Sequence, residues 1–474
     1  MSAEAGSAGA WLQRVALRSC AWSERWIPDA YVFAALAVVI VATAALALGT
    51  SPVVVATAFG DGFWSLIVFT MQMSFIIIGG YVVAASPPIE RLIEKLAAIP
   101  RTGRSAVCWI AFVSMMLSLL HWGLSCIVGS LLVRAAGRRA DLRMDYKAAA
   151  AAGYLGMGSV WALGLSSSAA QLQANAASMP ASLLPITGVI PFTSTIFLWQ
   201  SLVLTLILMA LTLAIAWLTT PQAVHARTAA ELGLASPVMQ IAAPSLSRPG
   251  DWLERSPFLN VFIAALGALW LIGEFTSKGA AVAISSLNTY NFLFLMLGLL
   301  LCWRPRVFLD AVARGVPSVA GVLIQFPLYG GIAAIITTAV GRDGFTIGHH
   351  LATFFTEAAS RESFPLLIGA YSAVLGFFVP SGGGKWIIEA PYVMQAANDL
   401  RVHLGWTVQI YNAAEALPNL VNPFWMLPLL GILGLKARDV VGFTVVQFVV
   451  HVPVVLFLLW ILGLTLDYQP PVLQ

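Results

Sequence analysis

Two helix-breaking sequences interrupt hydrophobic segments of the chain. The stronger is Val379-Pro380-Ser381-Gly382-Gly383-Gly384-Lys385-Trp386, the weaker Leu120-His121-Trp122-Gly123-Leu124-Ser125. Inside a bilayer, broken backbone survives only where protein or a water-filled cavity satisfies the freed N–H and C=O groups. The N-terminus of a returning helix presents unpaired amides and about half a positive charge, which suits an anion. Successive glycines let a ligand approach the backbone closely. Ser381, Gly382, Gly383 and Gly384 therefore read as a carboxylate cradle, with Gly123 and Ser125 as its counterpart. Lys385 and Glu389 are intramembrane charges at i, i+4, either functional or a mutual ion pair that steadies the segment. His121 is suited to relay a proton or donate to substrate, or to pack as a neutral ring. Trp122 and Trp386 adjoin the two tips. A phosphate-binding loop is excluded: Val379 stands where its first glycine belongs, and Trp386 where Ser or Thr is required.

A second pair of irregular stretches follows the breaks. Ser166, Ser167 and Ser168 interrupt the apolar pattern after Gly164. In the later half Asn412, Glu415, Asn419 and Asn422 concentrate oxygen ligands, with Pro418 and Pro423 exposing carbonyls. Such a set could hold Na⁺ or carry H⁺; Ser and Asn also bind ordinary membrane helices together. No cofactor is expected beyond Na⁺ or H⁺ as co-substrate, with Na⁺ the one metal, at these four residues. The four cysteines (Cys20, Cys108, Cys126, Cys302) show neither metal spacing nor a disulfide framework.

The elements that must carry these residues follow from composition. The chain is 59% hydrophobic and 10% charged, against about 25% charged in soluble domains. The fold class is an all-α polytopic membrane protein. Nine crossings are predicted at 28–49, 63–86, 147–165, 191–219, 256–275, 287–303, 315–340, 402–435 and 440–466. Segments 106–133 and 362–400 read as re-entrant hairpins. With the N-terminus inside, cytoplasmic segments then hold 20 Lys and Arg and outer ones 4, Lys385 being the remaining one of 25. Making both hairpins single crossings gives 12 against 12. The positive-inside bias therefore favours hairpins. Two full spans within 106–133 would also need ~40 residues.

The resulting order is an inverted-topology repeat with discontinuous helices. Residues 1–26 form a cytoplasmic amphipathic segment. Residues 27–219 form the first repeat, 220–286 a cytoplasmic linker plus a connecting helix at 256–275, and 287–467 the second repeat. Gln72 before Gly79-Gly80 echoes Gln325 before Gly330-Gly331 only faintly, and both glutamines are speculative contributors to the site.

The runs Ile27-Pro28-Asp29, Gly60-Asp61-Gly62-Phe63-Trp64 with Met71-Gln72-Met73, Trp122-Gly123, Pro380 to Trp386, and Asn422-Pro423-Phe424-Trp425 followed by Arg438-Asp439 resemble the bacterial short-chain fatty acid transporter (AtoE) family, within the larger ion-transporter superfamily. The resemblance implies an inner-membrane carrier for acetoacetate, butyrate or similar monocarboxylates, two re-entrant hairpins and an elevator-type motion. The chain departs from the family in two places: His121 replaces an asparagine, and Gly164–Ser178 is richer in Ser and Ala.

The expected function is cation-coupled uptake of a short monocarboxylate, with a cytoplasmic N-terminus and a periplasmic C-terminus. Substrate would lie among His121, Trp122, Gly123, Ser125, Ser166, Ser167, Ser168 and Ser381 to Trp386. No arginine lies near a tip, which favours one negative charge over two or three. A dicarboxylate carrier or sodium/proton antiporter on the same scaffold is the alternative. A membrane enzyme is remote, because HExxH, GxSxG and clustered metal ligands are missing from the sequence. The partners are the bilayer and the substrate, with no nucleic acid; a homo-oligomer is left open.

Overall fold

The structure is a computed structural model that describes residues 30–180, 182–234, 248, 250–379, 381–422 and 424–471. The amphipathic segment predicted at 1–26, part of the linker, Pro380 and Pro423 lie outside the described residues. Among those described, the chain is almost wholly helical, and seven helical runs, one of them the broken run Tyr146–Gln173, are long and apolar enough to cross a membrane. The protein is a multi-pass helical membrane protein.

The helices run in this order: α1 Ala30–Ala47, α2 Pro52–Ser65, α3 Ile67–Ala84, α4 Pro87–Ala98, α5 Gly103–Leu120, α6 Trp122–Gly137, α7 Tyr146–Leu155, α8 Ser168–Gln173, α9 Trp199–Thr219, α10 Phe258–Lys278, α11 Leu287–Cys302, α12 Pro305–Gly315, α13 Ala320–Thr338, α14 Ile347–Ala358, α15 Phe364–Phe378, α16 Gly382–Asp399, α17 Leu404–Asn419, α18 Leu427–Leu433 and α19 Ala437–Gly463. Short turns are left unnumbered.

Several helix starts have a local cause. Thr102 caps α5 through a reciprocal box with Ser105, and Asp145 caps α7 by accepting from Ala148 N–H. His121 and His403 cap α6 and α17 with their Nδ1 atoms, accepting from Leu124 and Trp406 N–H at 3.2 and 3.0 Å. Prolines open α2, α4, α12 and α15, where the missing N–H is harmless.

The element order runs twice. Helices α1 to α4, the α5–α6 pair, α7–α8 and α9 correspond in order to α11 to α14, the α15–α16 pair, α17–α18 and α19. Packing is reciprocal: α1 and α2 lie on α13, while α11 and α12 lie on α3. Likewise α9 packs on α5 and α19 on α15, and α9 meets α19. Gly62 and Gly330 let α2 and α13 touch backbone to backbone, since a Cβ at either would sit 2.4–2.5 Å from the other's carbonyl oxygen. Helix α10 has no counterpart and packs mainly on α11.

Basic loops gather at one end. There Arg139 donates to the Ala97 and Pro100 carbonyls, both at 2.9 Å, Arg104 to Thr220 O at 3.3 Å, and Lys147 pairs with Asp439 at 2.5 Å. Helix α19 spans 27 residues, about 40 Å. At its far end Arg361 donates to Leu466 O at 3.0 Å, and Tyr468 to Asn398 Oδ1 at 3.0 Å. The α5–α6 pair thus starts and finishes at the basic end. The α15–α16 pair starts and finishes at the other.

Several predicted crossings have different bounds. The stretch predicted from 191 becomes helical only at Trp199, because Phe192–Ser194 is a 3₁₀ turn. The stretch predicted from 63 is split at Leu66 between α2 and α3. Residues 402–435 break between Asn419 and Leu427.

Candidate functional site

The two breaks sit at the starts of α6 and α16. Ser381 caps α16, its Oγ accepting from Gly384 N–H at 3.2 Å. The other first-turn amides face the tip by helix geometry. Ring atoms cover the Cα faces of the three glycines. A Cβ would meet Trp161 at Gly382 (2.4 Å), Phe69 at Gly383 (2.9 Å) and Tyr329 at Gly384 (2.2 Å). Only glycine fits this turn.

Between the tips lies the break that ends α7. The helix passes through a π-turn at Gly156–Val160 and a 3₁₀ turn at Trp161–Leu163 before α8 begins. Three successive serines in this break reach three different elements. Ser166 Oγ accepts from Trp122 N–H at 3.1 Å, at the first tip. Ser167 Oγ donates to Asn412 Oδ1 on α17 at 3.0 Å. Ser168 lies against the second tip, its Cβ 3.2 Å from where a Gly383 Cβ would be. The serine stretch joins both tips and the later discontinuous helix.

The indole N–H groups of Trp122, Trp161 and Trp386 are buried and have no protein partner. Buried donors are costly unless paired. Trp122 meets Trp161 at a ring distance of 6.5 Å, and Trp161 covers Gly382. Of the three, Trp161 lies against the N-terminus of α16 and Trp122 lies beside Trp161.

One turn into α16 lies a buried charged network. Lys385 Nζ is 2.9 Å from Glu415 Oε2 on α17 and 3.4 Å from Glu389 Oε1. It also donates to Ser372 O and Oγ on α15, at 2.7 and 2.8 Å. It sits 4.6 Å from the Tyr411 ring centroid. All three charged side chains are 0–1% exposed. Glu415 Oε1 and both polar atoms of Asn419 have no partner.

The sequence-predicted residues divide accordingly. The structure brings Trp122, Ser166, Ser167, Ser168, Gly382 and Gly383 to one junction, with Ser381 capping it and Gly384 beside Tyr329. His121 and Gly123 are held apart from it. The His121 ring is packed against Gly80, stacked on Tyr290 and tilted against Phe294. Ser125 is bound between the arms, donating to Ser114 O at 2.7 Å. Trp386 packs on Tyr411 with the rings tilted, centroids 4.6 Å apart. Asn412 donates to Gln409 Oε1 at 2.6 Å, and Asn422 to Phe377 O at 3.4 Å, so the four oxygen-bearing residues make no single cage. Gln72 bonds Asn288 and Ser178, and Gln325 accepts from Tyr329 OH. Sequence reasoning did not single out Trp161, Ser372 or Tyr411. Their signal was weak: each is an ordinary residue until the fold sets it beside a tip.

Comparison with known proteins follows the same lines. The family described as Short chain fatty acid transporter matches residues 11–462. An Escherichia coli K12 protein provisionally named a short-chain fatty acid transporter is 32% identical over 423 residues, covering 89% of this chain and 93% of that protein. A Haemophilus influenzae protein with the same provisional name is 30% identical over 457 residues, covering 95% and 100%. Two solved structures share the fold. The Alcanivorax borkumensis YdaH transporter, described as having an unusual topology, has a TM-score of 0.56 at 14% identity, covering 92% of this chain and 98% of that one. Neisseria gonorrhoeae MtrF, described with a class of antimetabolite efflux pumps, has a TM-score of 0.57 at 12% identity, covering 95% and 97%.

Proposed function

The chain belongs to the short-chain fatty acid transporter family, a family of transporters rather than enzymes, and on that premise we propose that it takes up a short monocarboxylate, such as acetoacetate or butyrate, coupled to a cation. The observation that carries this reading is the junction at Ser166–Ser168, which contacts both helix tips. There the substrate carboxylate accepts from the α16 first-turn amides and from the Trp161 and Trp122 indoles. Phe69, beside Gly383, supplies an apolar wall for a short acyl chain. One anionic group suffices: the ammonium nearest the tip, Lys385, already faces two carboxylates. A second substrate charge would meet net repulsion.

The protein sits in the inner membrane with its basic end in the cytoplasm. The α5–α6 pair then dips in from the cytoplasm and the α15–α16 pair from the periplasm, as an inverted repeat. Glu415, with the asparagines of α17, belongs to the coupling-ion site. Uptake of labelled acetoacetate and butyrate into proteoliposomes, under imposed sodium and proton gradients, tests the reading. Saturable, gradient-dependent uptake above that of protein-free liposomes supports it. Sodium/proton exchange with no organic acid transported contradicts it.

A further inference from the structure

Resting on the transport reading above, we infer that the coupling ion is a proton, received by Glu389 through the Tyr371–Tyr392 pair and held by the Glu389–Lys385–Glu415 network. Charge is the first ground. One ammonium faces two carboxylates at 2.9 and 3.4 Å, in side chains 0–1% exposed. With both carboxylates ionised, the network carries one net negative charge away from water. Incompletely compensated buried charge is costly, so the network draws one more positive charge.

Space is the second ground. The ammonium already fills the position between the carboxylates that a sodium ion would take, and Ser372 O and Oγ fix it there. A small hard cation needs several oxygen ligands around it. A proton needs one carboxylate oxygen.

A route is the third. Ser372 Oγ donates to Glu389 Oε2 at 2.9 Å. Toward the open end of the α15–α16 pair, Tyr371 OH and Tyr392 OH are 2.8 Å apart. Tyr392, one turn beyond Glu389 on α16, is buried, and its partner Tyr371, beside Ser372 on α15, is partly exposed. The titratable groups facing the network are Tyr371 on α15, Tyr392 on α16, Tyr411 on α17, Tyr329 on α13 and Tyr154 on α7. Phenols stay uncharged near neutrality, so they pass protons without altering the charge balance.

The step balances simply. Hydronium gives its proton to a Glu389 carboxylate oxygen; an O–H bond forms and water leaves. Lys385 then pairs with Glu415 alone, and the network is neutral. One bound substrate anion restores the net charge of the empty site. One proton therefore accompanies each monocarboxylate, and uptake is electroneutral.

The test uses full-length protein in liposomes with labelled acetoacetate, and protein-free liposomes as the leak control. Counterflow, at equal ion concentrations on both sides, reads transport without reading coupling. Wild type should show counterflow, and its absence would overturn the transport reading itself. A pH gradient of one unit is worth about 1.4 kcal/mol and should accumulate substrate about tenfold. A sodium gradient at equal pH should accumulate none. Glu389→Gln should keep counterflow and lose proton-driven accumulation, while Glu389→Asp keeps both. Sodium-driven accumulation would overturn the proton inference alone, as would wild-type accumulation by Glu389→Gln. Loss of counterflow in both Glu389 variants would show a structural role and overturn it too.

Discussion

The two helix–break–helix pairs occupy corresponding places but are held shut by different chemistry. In the first, α5 and α6 pack closely, and short neutral bonds lock them to each other and to α7. Ser114 donates to Gly153 O at 2.7 Å and Ser125 to Ser114 O at 2.7 Å. Gly129 lies so close to Gly153 that a Cβ would sit 2.5 Å from its carbonyl. In the second, long side chains span the gap between α15 and α16: Lys385 to Ser372, Ser372 to Glu389 and Tyr371 to Tyr392. Neutral backbone contact does not respond to protons or to an incoming anion. A buried lysine shared by two carboxylates responds to both, because every change in charge alters its pairing. On the proposed reading the first unit is the scaffold and the second the switch.

The largest expected effect comes from removing the ammonium. Lys385→Met leaves two buried carboxylates without a counter-charge, and breaking a buried pair costs about 3–5 kcal/mol. Thermal unfolding in detergent should show a large loss, and adding Glu415→Gln should restore part of it. No loss in the single variant would show that the network does not hold the second unit together.

Next is the tip. Gly383→Val places a branched side chain against Phe69 and Ser168 and should abolish uptake, for an overpacking cost of roughly 1–3 kcal/mol. Insertion into the membrane, read by detergent-extracted monodisperse protein, should persist. Wild-type uptake would remove the cradle.

Smaller again is the loss of one indole donor. Trp161→Phe should raise the apparent KM for acetoacetate up to about tenfold, from a hydrogen bond to a charged group worth about 1.5 kcal/mol. An unchanged KM would take Trp161 out of the site.

The smallest effect belongs to the scaffold. Ser125→Ala removes one bond between the arms and should cost about 1 kcal/mol of stability, with uptake unchanged. Lost proton coupling in this variant would erase the contrast between the units.

Much of this arrangement was legible in the sequence, and the reasons are specific. The asymmetry of Lys and Arg between loops reflects a global electrostatic bias, so it survives without any knowledge of packing. The Gly382–Gly384 run and the Ser166–Ser168 run are local departures from an apolar pattern, visible wherever they pack. The amphipathic helices α4 and α12 and the short α2 and α14 do not stand out in the sequence, since each is too short or too polar to register as a crossing. His121 looked like a tip ligand because its neighbours in sequence are tip residues. Its role as a helix cap between Gly80, Tyr290 and Phe294 depends on elements far along the chain. In the sequence Lys385 and Glu415 read as parts of separate substrate and ion sites for the same reason. Only the placement of α17 beside α16 shows that they share one ion pair.

On the proposed reading the two units enter from opposite faces and meet at the serine junction. Single cysteines at Arg138 and Arg361, in a background with Cys20, Cys108, Cys126 and Cys302 replaced, test it with a membrane-impermeant maleimide. Arg138→Cys should react in inside-out vesicles and not in intact cells, and Arg361→Cys in intact cells and not in inside-out vesicles. Reaction of both from the same face would rule out entry from opposite faces.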